Sequence, residues 1–440
     1  MNGTAVPRDD DGRHLASNSL KRRYVRIHAT APLSEAFTEI TSAVGCIAVQ
    51  DRSAAELSGR ETVSQLMRQT RTALCLALLL VPTISQAQRA GTLVDAQPVV
   101  DTPSGIQAWR VQYWTLSDRS KPIRVTGMVV APREALPPAP RKVIAWAHGT
   151  WGVASKCAPS LGKFFGATPG LTDAIRRGYT VVAPDYPGLG SPMAHGYLAG
   201  VSTGRSVLDA VRAARNIPGA AAGSDFAVWG ESQGGHAALW TGQLAQRYAP
   251  DLRLVGVAAA APTTDLVQNL TAGTDPSIRA FITAFAAYSW SEHFGVPLAT
   301  LGGKSTQGVI RRLAQNNCVV VGAKPKLGTI LGVMALRRDL KTVDLGRIQP
   351  WARIARENSP AARPYGVPFL IAQNPSDAIV GANVTQDFAR QLCRAGGQVR
   401  YVAITGQGHE TSAADTKDLT LDWIDARFAG RPAPNDCGTF

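Results

Sequence analysis

The chain has 440 residues, is 45% hydrophobic and carries a formal net charge of +14, so it is long enough to bury a large core. Its positive charges are scattered singly or in pairs, with no run of five and no nucleic-acid-binding motif. We therefore expect a solvated basic surface and no nucleic-acid partner, with weak association with lipid surfaces as the alternative use of this charge. These features make no prediction of oligomeric state.

Residues 67–87 have the order of a secretory signal peptide: a basic start, nine apolar residues (73–81) and a small-x-small cleavage site ending at Ala87. Nine apolar residues are too few for a transmembrane helix, which needs about 20. Because such a signal works only at the start of a chain, we expect translation to begin at Met67. Residues 1–66 are then an upstream extension that is not translated, or else a disordered leader. The expected product is secreted, to the periplasm or beyond.

Cleavage near Ala87 would leave four of the six cysteines. Four cysteines in an exported chain predict two disulfides, for which three pairings exist. We favour Cys157 with Cys318 and Cys393 with Cys437, because Cys437 can then pin the C-terminal tail to the predicted helix that carries Cys393. No C-x-x-C motif or His/Cys cluster indicates a metal site.

The first part of the predicted mature chain contains strand patterns. Residues 88–105 have no clear period and predict an irregular lead-in. Residues 108–114 and 123–131 alternate large and polar side chains around a polar turn, which predicts an antiparallel hairpin. Residues 142–148 and 179–184 are nearly uniformly apolar, as strands buried on both faces usually are.

Further along, helical patterns alternate with apolar strand patterns, which predicts right-handed crossovers and a mostly parallel sheet with helices on both faces. The expected fold class is therefore α/β. The predicted helices are 205–215, 237–248, 383–394 and 419–428, and the predicted strands are 254–261, 367–373 and 399–404.

Residues 262–362 interrupt this alternation with helix-like pieces, Gly-rich loops and aromatic residues such as Trp290 and Phe294 that look exposed. We interpret this segment as a mainly helical cap inserted between two parts of the core, residues 88–261 and 363–440. No clearly apolar lid helix is visible in it.

A short apolar strand, residues 226–229, leads into Gly230-Glu-Ser232-Gln-Gly234 and then into an Ala/Leu-rich helix. This is the strand-turn-helix context of a G-x-S-x-G nucleophile elbow. Gly230 and Gly234 remove the Cβ atoms that would clash at so tight a turn. Ser232 is the candidate nucleophile, and a glycine-rich turn without chemistry is the alternative.

A serine hydroxyl becomes a good nucleophile only when a neutral imidazole accepts its proton and a carboxylate orients that imidazole. Asp377 and His409 each follow the end of a predicted strand, where parallel sheets gather their sites. The order Ser232, Asp377, His409 is that of α/β-hydrolases. The alternatives are a turn or cap role for Asp377 and a plain loop histidine for His409.

The oxyanion of a tetrahedral intermediate needs hydrogen-bond donors. One expected donor is the backbone N–H of Gln233, directly after the nucleophile. The second is the N–H of Thr150, in the loop His148-Gly149-Thr150 that follows the strand ending at Ala147. We expect His148 to brace this loop, with Gly149 supporting its turn.

With these motifs the chain resembles the secretory lipase family of α/β-hydrolases over roughly residues 90–437. The resemblance implies ester hydrolysis without a cofactor, an acyl-enzyme on Ser232 with Asp377 and His409 as partners, and Cys157 near the oxyanion loop bonded into the cap. The segments that carry it are Trp146-Ala-His-Gly-Thr150, Asp185-Tyr-Pro-Gly-Leu-Gly190, Gly230-Glu-Ser-Gln-Gly-Gly235, Pro375-Ser-Asp377 and Gly408-His409.

The expected function is that of a secreted serine esterase or triacylglycerol lipase acting on an ester or lipid substrate. A plain carboxylesterase and a true lipase both remain open. One alternative is a secreted serine peptidase of the same fold, since Gly234-Gly235 also occurs after the elbow there. Such peptidases need an acidic clamp for the substrate terminus, for which only Glu292 is evident. A non-catalytic binding relative is disfavoured by the intact Ser, Asp and His set.

Overall fold

The structure is a computed structural model that describes residues 88–272, 274–320, 322–341, 343–406 and 408–440. The predicted N-terminal extension and signal peptide lie outside the described residues, as does Gln407 in the loop before His409.

One nine-stranded sheet organises the described chain, in the order β1-β2-β3-β5-β4-β6-β7-β8-β9. The pairs β1/β2, β2/β3 and β3/β5 are antiparallel, and every later pair is parallel. The fold is therefore α/β, as the sequence predicts. The strands are β1 (Leu93–Pro98), β2 (Ile106–Leu116), β3 (Pro122–Pro132), β4 (Arg141–Ala147), β5 (Thr180–Pro184), β6 (Ala222–Glu231), β7 (Arg253–Ala260), β8 (Phe369–Gln373) and β9 (Val399–Ala403).

The prediction of an irregular lead-in is wrong for part of residues 88–105. Strand β1 pairs with β2 at the edge of the sheet, from Leu93 opposite Tyr113 to Pro98 opposite Trp109. Its side chains are exposed or only half-buried, so they show no regular alternation of apolar and polar residues. Backbone hydrogen bonds to β2 define this strand, and a pattern of side chains could not predict them.

Helices cover both faces of the sheet. Leu208 of α3 and Leu239 of α4 belong to the cluster on one face, whereas Ile175 of α2 and Leu421 of α12 belong to the cluster on the other. The α-helices of the described residues are α1 (Phe164–Ala167), α2 (Leu171–Arg176), α3 (Gly200–Ala214), α4 (Gln233–Tyr248), α5 (Leu266–Ala272), α6 (Pro276–Phe294), α7 (Lys304–Asn316), α8 (Leu327–Asp339), α9 (Trp351–Asn358), α10 (Ala382–Arg394), α11 (Ser412–Asp415) and α12 (Lys417–Phe428).

Helices α5 to α9, here called the inserted helices, lie between β7 and β8 and have a hydrophobic cluster of their own. The prediction that Trp290 is exposed is wrong, because its side chain is fully buried. Its indole Nε1 donates a hydrogen bond to the carbonyl of Tyr197 at 2.7 Å. Phe294 is half-buried. Trp290 stacks near Trp351 of α9, so the tertiary packing of these helices hides an aromatic residue that local sequence could not assign to a core.

Both favoured disulfides are present. Cys157 joins Cys318, which links the segment after β4 to the segment between α7 and α8. Cys393 joins Cys437, which links α10 to the C-terminal tail. Within the described ranges, each helix is too short or too polar to cross a bilayer.

Candidate active site

Ser232 lies at the sharp turn between β6 and α4. Its backbone is in the left-handed region at φ 56° and ψ −118°, which a non-glycine residue adopts only when the surroundings enforce it. A Cβ at Gly230 would lie 2.1 Å from the carbonyl oxygen of Gly234, and one at Gly234 would lie 1.9 Å from that of Ala147. Both glycines are therefore sterically required for this turn, as expected of an elbow.

His409 connects Ser232 to Asp377. Its Nε2 lies 2.8 Å from the Ser232 Oγ, and its Nδ1 lies 2.7 Å from Asp377 Oδ2. An ionised carboxylate can only accept, so Nδ1 carries the proton and donates it to Asp377. The lone pair of Nε2 then faces the serine hydroxyl. The structure thus brings together three residues that are far apart in the sequence, in the geometry that a proton-accepting imidazole requires.

The carboxylate of Asp377 is held by several donors. Burial by itself would raise its pKa, but the hydrogen bond from His409 and those from the backbone N–H groups of Ile379 and Val380, at 2.8 and 2.9 Å, outweigh burial and lower the pKa below its usual value. Gln373, the last residue of β8, donates its Nε2 to Asp377 Oδ2 at 3.0 Å. Asp377 is therefore an ionised group in a fixed orientation at neutral pH.

Three other histidines are buried and hydrogen-bonded to backbone carbonyls. Burial lowers the pKa of His148, His195 and His236 to about 4 in each case, so all three are neutral at pH 7. His236 Nε2 donates to the carbonyl of Asn358 at 2.8 Å and does not face Ser232. Among these four rings, only that of His409 bonds the serine hydroxyl.

The loop that follows β4 lies directly against the nucleophile. A Cβ at Gly149 would lie 3.9 Å from the Ser232 Cβ, so the loop backbone passes within van der Waals reach of the serine. His148 is buried beneath the loop, stacks on Tyr186 with ring centroids 4.1 Å apart, and accepts the Tyr186 hydroxyl on its own carbonyl at 3.0 Å. The bracing role of His148 in this loop stays a prediction.

The two expected oxyanion donors are the N–H groups of Gln233 and Thr150. Gln233 follows Ser232 in the sequence, and Thr150 follows Gly149 in the loop that lies against Ser232. Gln233 is the first residue of α4, and the first N–H groups of a helix have no intrahelical acceptor. The Thr150 N–H also has no hydrogen-bond acceptor among the residues that the structure describes. Both groups can therefore donate to a developing negative charge.

Tyr197 is a residue that sequence analysis missed. Its hydroxyl lies 2.9 Å from Thr150 Oγ1. Its backbone is tied to α6, because its N–H donates to Ser289 Oγ at 2.7 Å and its carbonyl accepts from Trp290. It lies 47 positions from Thr150 and carries no motif, so no sequence signal indicates the contact.

Glu231, the variable residue before the nucleophile, is the second one missed. Its Oε1 accepts the N–H of Ala413 at 2.8 Å, at the start of the short helix α11 that follows the His409 loop. Burial is the largest cause that raises its pKa, to about 7, against the opposing effects of the Ala413 N–H and of His409. Its position within G-x-S-x-G was visible in the sequence, but its long-range partner was not.

No cluster of three His, Cys, Asp or Glu side chains that could hold a metal ion occurs among the described residues.

The secretory lipase family model matches residues 169–289 and 353–436, two segments that contain Ser232, Asp377 and His409. Over these two segments the chain is similar to the secretory lipase family. This family is one of lipase- and esterase-type hydrolases with the α/β-hydrolase fold, and the inserted helices account for most of the gap between its two matched segments.

Among similar proteins, a probable inactive lipase of Mycobacterium tuberculosis is 25% identical over 356 residues, which is 75% of each chain. Lipase 5 of Candida albicans is 24% identical, over 76% of this chain and 75% of its own. The closed-state crystal structure of Candida antarctica lipase A has the same fold, with a TM-score of 0.64 and 22% identity over 81% of this chain and 86% of that one.

Proposed function

We propose that this chain is a secreted serine carboxylic-ester hydrolase that works through an acyl-enzyme on Ser232. The observation that carries the proposal is the pair of hydrogen bonds at His409, 2.8 Å to the Ser232 Oγ and 2.7 Å to Asp377 Oδ2. One relative is named a probable inactive lipase. In this chain, however, the Ser232 hydroxyl and the Asp377 carboxylate both lie within hydrogen-bonding distance of the His409 ring.

In the first half-reaction, Ser232 Oγ attacks the ester carbonyl carbon while its proton passes to His409 Nε2. The carbonyl oxygen becomes an oxyanion, which the N–H groups of Gln233 and Thr150 stabilise. When the intermediate collapses, the bond to the leaving alkoxide breaks, and His409 returns the proton to that alkoxide. The alcohol departs and the acyl group remains on Ser232.

In the second half-reaction, His409 takes a proton from water, and the resulting hydroxide oxygen attacks the acyl carbon. Collapse of this second intermediate breaks the bond to Ser232, which regains its proton from His409, and the carboxylic acid is released. Asp377 remains ionised throughout and stabilises the imidazolium that forms in each half-reaction.

The proposal is tested with a series of p-nitrophenyl esters from acetate to palmitate, together with emulsified triacylglycerol. We expect cleavage of the p-nitrophenyl esters with a preference for short to medium chains, and Ser232→Ala to lower kcat by on the order of 10⁴-fold or more. A fluorophosphonate should modify the parent chain at one site, as measured by intact mass spectrometry, and should not modify the variant.

A chain that is inert on every ester but active on aminoacyl amides would be a peptidase. Glu292, the expected clamp of a peptidase, is exposed on α6 and has no contact that favours this second function.

Secretion is part of the same proposal. Its support is the pair of disulfides, which persist in oxidising compartments, together with similarity to a secretory family. N-terminal sequencing of the native protein from the periplasm or the medium should start at Gln88. Recovery of the protein only from the reducing cytosol would contradict the proposal.

A further inference from the structure

Helix α8 (Leu327–Asp339) presents a large apolar face to solvent. Of the ten exposed large hydrophobic residues in the described chain, four lie on this one helix, with 71% exposure at Leu327, 42% at Ile330, 57% at Leu331 and 60% at Met334. Their spacing of three and four positions places them in one stripe of a helix. Contiguous apolar patches of this kind mark interaction surfaces, whereas single exposed hydrophobic residues do not.

The opposite face of α8 is occupied by the protein itself. Val333 and Leu336 are buried in the cluster of the inserted helices, and a Cβ at Gly332 would lie 3.0 Å from Leu313 of α7. The helix is therefore already packed on one side. The exposed stripe is a second apolar face that the packing of the fold does not use.

Positive charge lies at both ends of this stripe. Lys324 and Lys326 precede the helix, and Arg337, Arg338 and Lys341 lie at its end, with Arg338 82% exposed at its side chain. Asp339, the single acidic residue between positions 320 and 341, is engaged by Thr306 Oγ1 at 2.8 Å and by Arg338. An apolar stripe flanked by basic residues is the pattern of a helix that lies in the interface of an anionic membrane.

The start of α8 is connected to the candidate active site. Thr329 Oγ1 donates to Asn317 Oδ1 at 2.6 Å, and the neighbouring Cys318 is bonded to Cys157. The N–H of Val319 donates to the carbonyl of Trp151 at 2.8 Å, one residue after Thr150. A surface held by α8 is thus linked through short contacts to the loop that lies against Ser232.

We propose that the exposed stripe of α8 docks onto an anionic lipid surface. The four apolar side chains enter the boundary between headgroups and acyl chains, while the flanking Lys and Arg side chains contact anionic headgroups. This surface adds to the proposed function a means of concentrating the enzyme at aggregated ester lipids, and in that respect rests on it. The docking itself requires no catalysis and no movement of the helix.

The test uses the chain with Ser232→Ala, which removes the proposed nucleophile so that lipid hydrolysis does not complicate the measurement. Flotation with vesicles of phosphatidylglycerol and phosphatidylcholine should recover this chain, and recovery should fall with added salt. Adding Leu331→Gln and Met334→Gln should lower the partition coefficient by about tenfold or more, because two of the four apolar anchors are lost. Leu136→Gln, at a loop position that is 61% exposed, is the matched control and should change nothing.

A charge variant separates the electrostatic contribution to vesicle binding from the apolar one. Lys324→Gln, Lys326→Gln and Arg338→Gln together remove three of the five flanking positive charges, so they should weaken the salt dependence and shift binding to phosphatidylglycerol vesicles toward the level seen with pure phosphatidylcholine vesicles. Circular dichroism and thermal unfolding check that each variant is folded. In the background with Ser232 intact, hydrolysis of a soluble short-chain ester should be equal in all variants.

Two results would overturn the proposal. The first is vesicle binding that is absent in the parent or unchanged by the Leu331 and Met334 substitutions. The second is a parent chain that is dimeric by light scattering and becomes monomeric with those substitutions, which would assign the stripe to a second copy of the chain. If the chain with Ser232 intact binds vesicles but hydrolyses no soluble ester, that result would instead count against the proposed function alone.

Discussion

The hydroxyl oxygens of Thr150 and Tyr197 lie 2.9 Å apart, and this contact ties the loop beside Ser232 to helix α6 of the inserted helices. Loss of one such hydrogen bond costs about 1 kcal/mol net, which corresponds to roughly a fivefold change in rate if the loop is needed in the transition state. We therefore predict that Tyr197→Phe lowers kcat on p-nitrophenyl butyrate by roughly fivefold with little change in KM.

Tyr288→Phe is the control for this prediction. The Tyr288 hydroxyl accepts Gln315 Nε2 at 3.0 Å, whereas Thr150 Oγ1 bonds Tyr197, so this variant should retain full kcat. An equal loss in both variants, or a change in KM alone, would indicate a general effect on the inserted helices.

Asp377 should matter through the tautomer of His409. In Asp377→Asn the side chain can no longer accept and stabilise the Nδ1–H in the same way, so the imidazole is free to adopt the tautomer that cannot accept the serine proton. We expect kcat to fall by roughly 10⁴-fold with the fold retained, measured with a soluble ester and circular dichroism. Asp387→Asn, on the exposed side of α10, should be as active as the parent. A variant at position 377 that keeps much of the parent rate would contradict this assignment.

Glu231 should make stability depend on pH. Its folded pKa of about 7 lies above the ordinary value of 4.5, mainly because of burial. The protonated form is favoured in the folded state, so its contribution to stability is fully present below about pH 4.5 and is lost as pH rises through about 7. The loss amounts to at most about 3 kcal/mol.

Glu231→Gln cannot ionise and should escape this loss. Relative to the parent, its free energy of unfolding should thus be larger at pH 8 than at pH 5, that is, the variant should be relatively more stable at pH 8, as measured by chemical denaturation at both values. Glu134→Gln, in an exposed loop, controls for the removal of one negative charge. A relative stability that is the same at both pH values would contradict the prediction.

The two disulfides should differ in their effect on activity. They join cysteines 161 and 44 positions apart, and the chain-entropy model assigns each about 4 to 5 kcal/mol as an upper value. Replacing either pair by alanine should lower the melting temperature. Only the loss of Cys157–Cys318 should also lower kcat, because this bond holds the segment beside Thr150. Equal kcat in the two double variants would show that the loop is positioned without it.

The sequence alone predicted those features that follow physically from a short local pattern. Uniformly apolar segments predicted the buried strands β4 and β5, because both faces of such strands meet helices. The glycines around Ser232 predicted the elbow, because a Cβ at either position would collide with the backbone. The chain order of Ser232, Asp377 and His409 predicted three groups that the structure brings together.

Only the tertiary structure decided features that depend on a distant partner. Edge strand β1 is formed by backbone hydrogen bonds, Trp290 is buried by other inserted helices, and Glu231 receives its donor from residue 413. Helix α8 shows the limit most clearly, because its sequence is apolar on two faces. Which face packs on α7 and which remains in solvent is set by the shape of the neighbouring helix, and no periodicity within α8 itself contains that information.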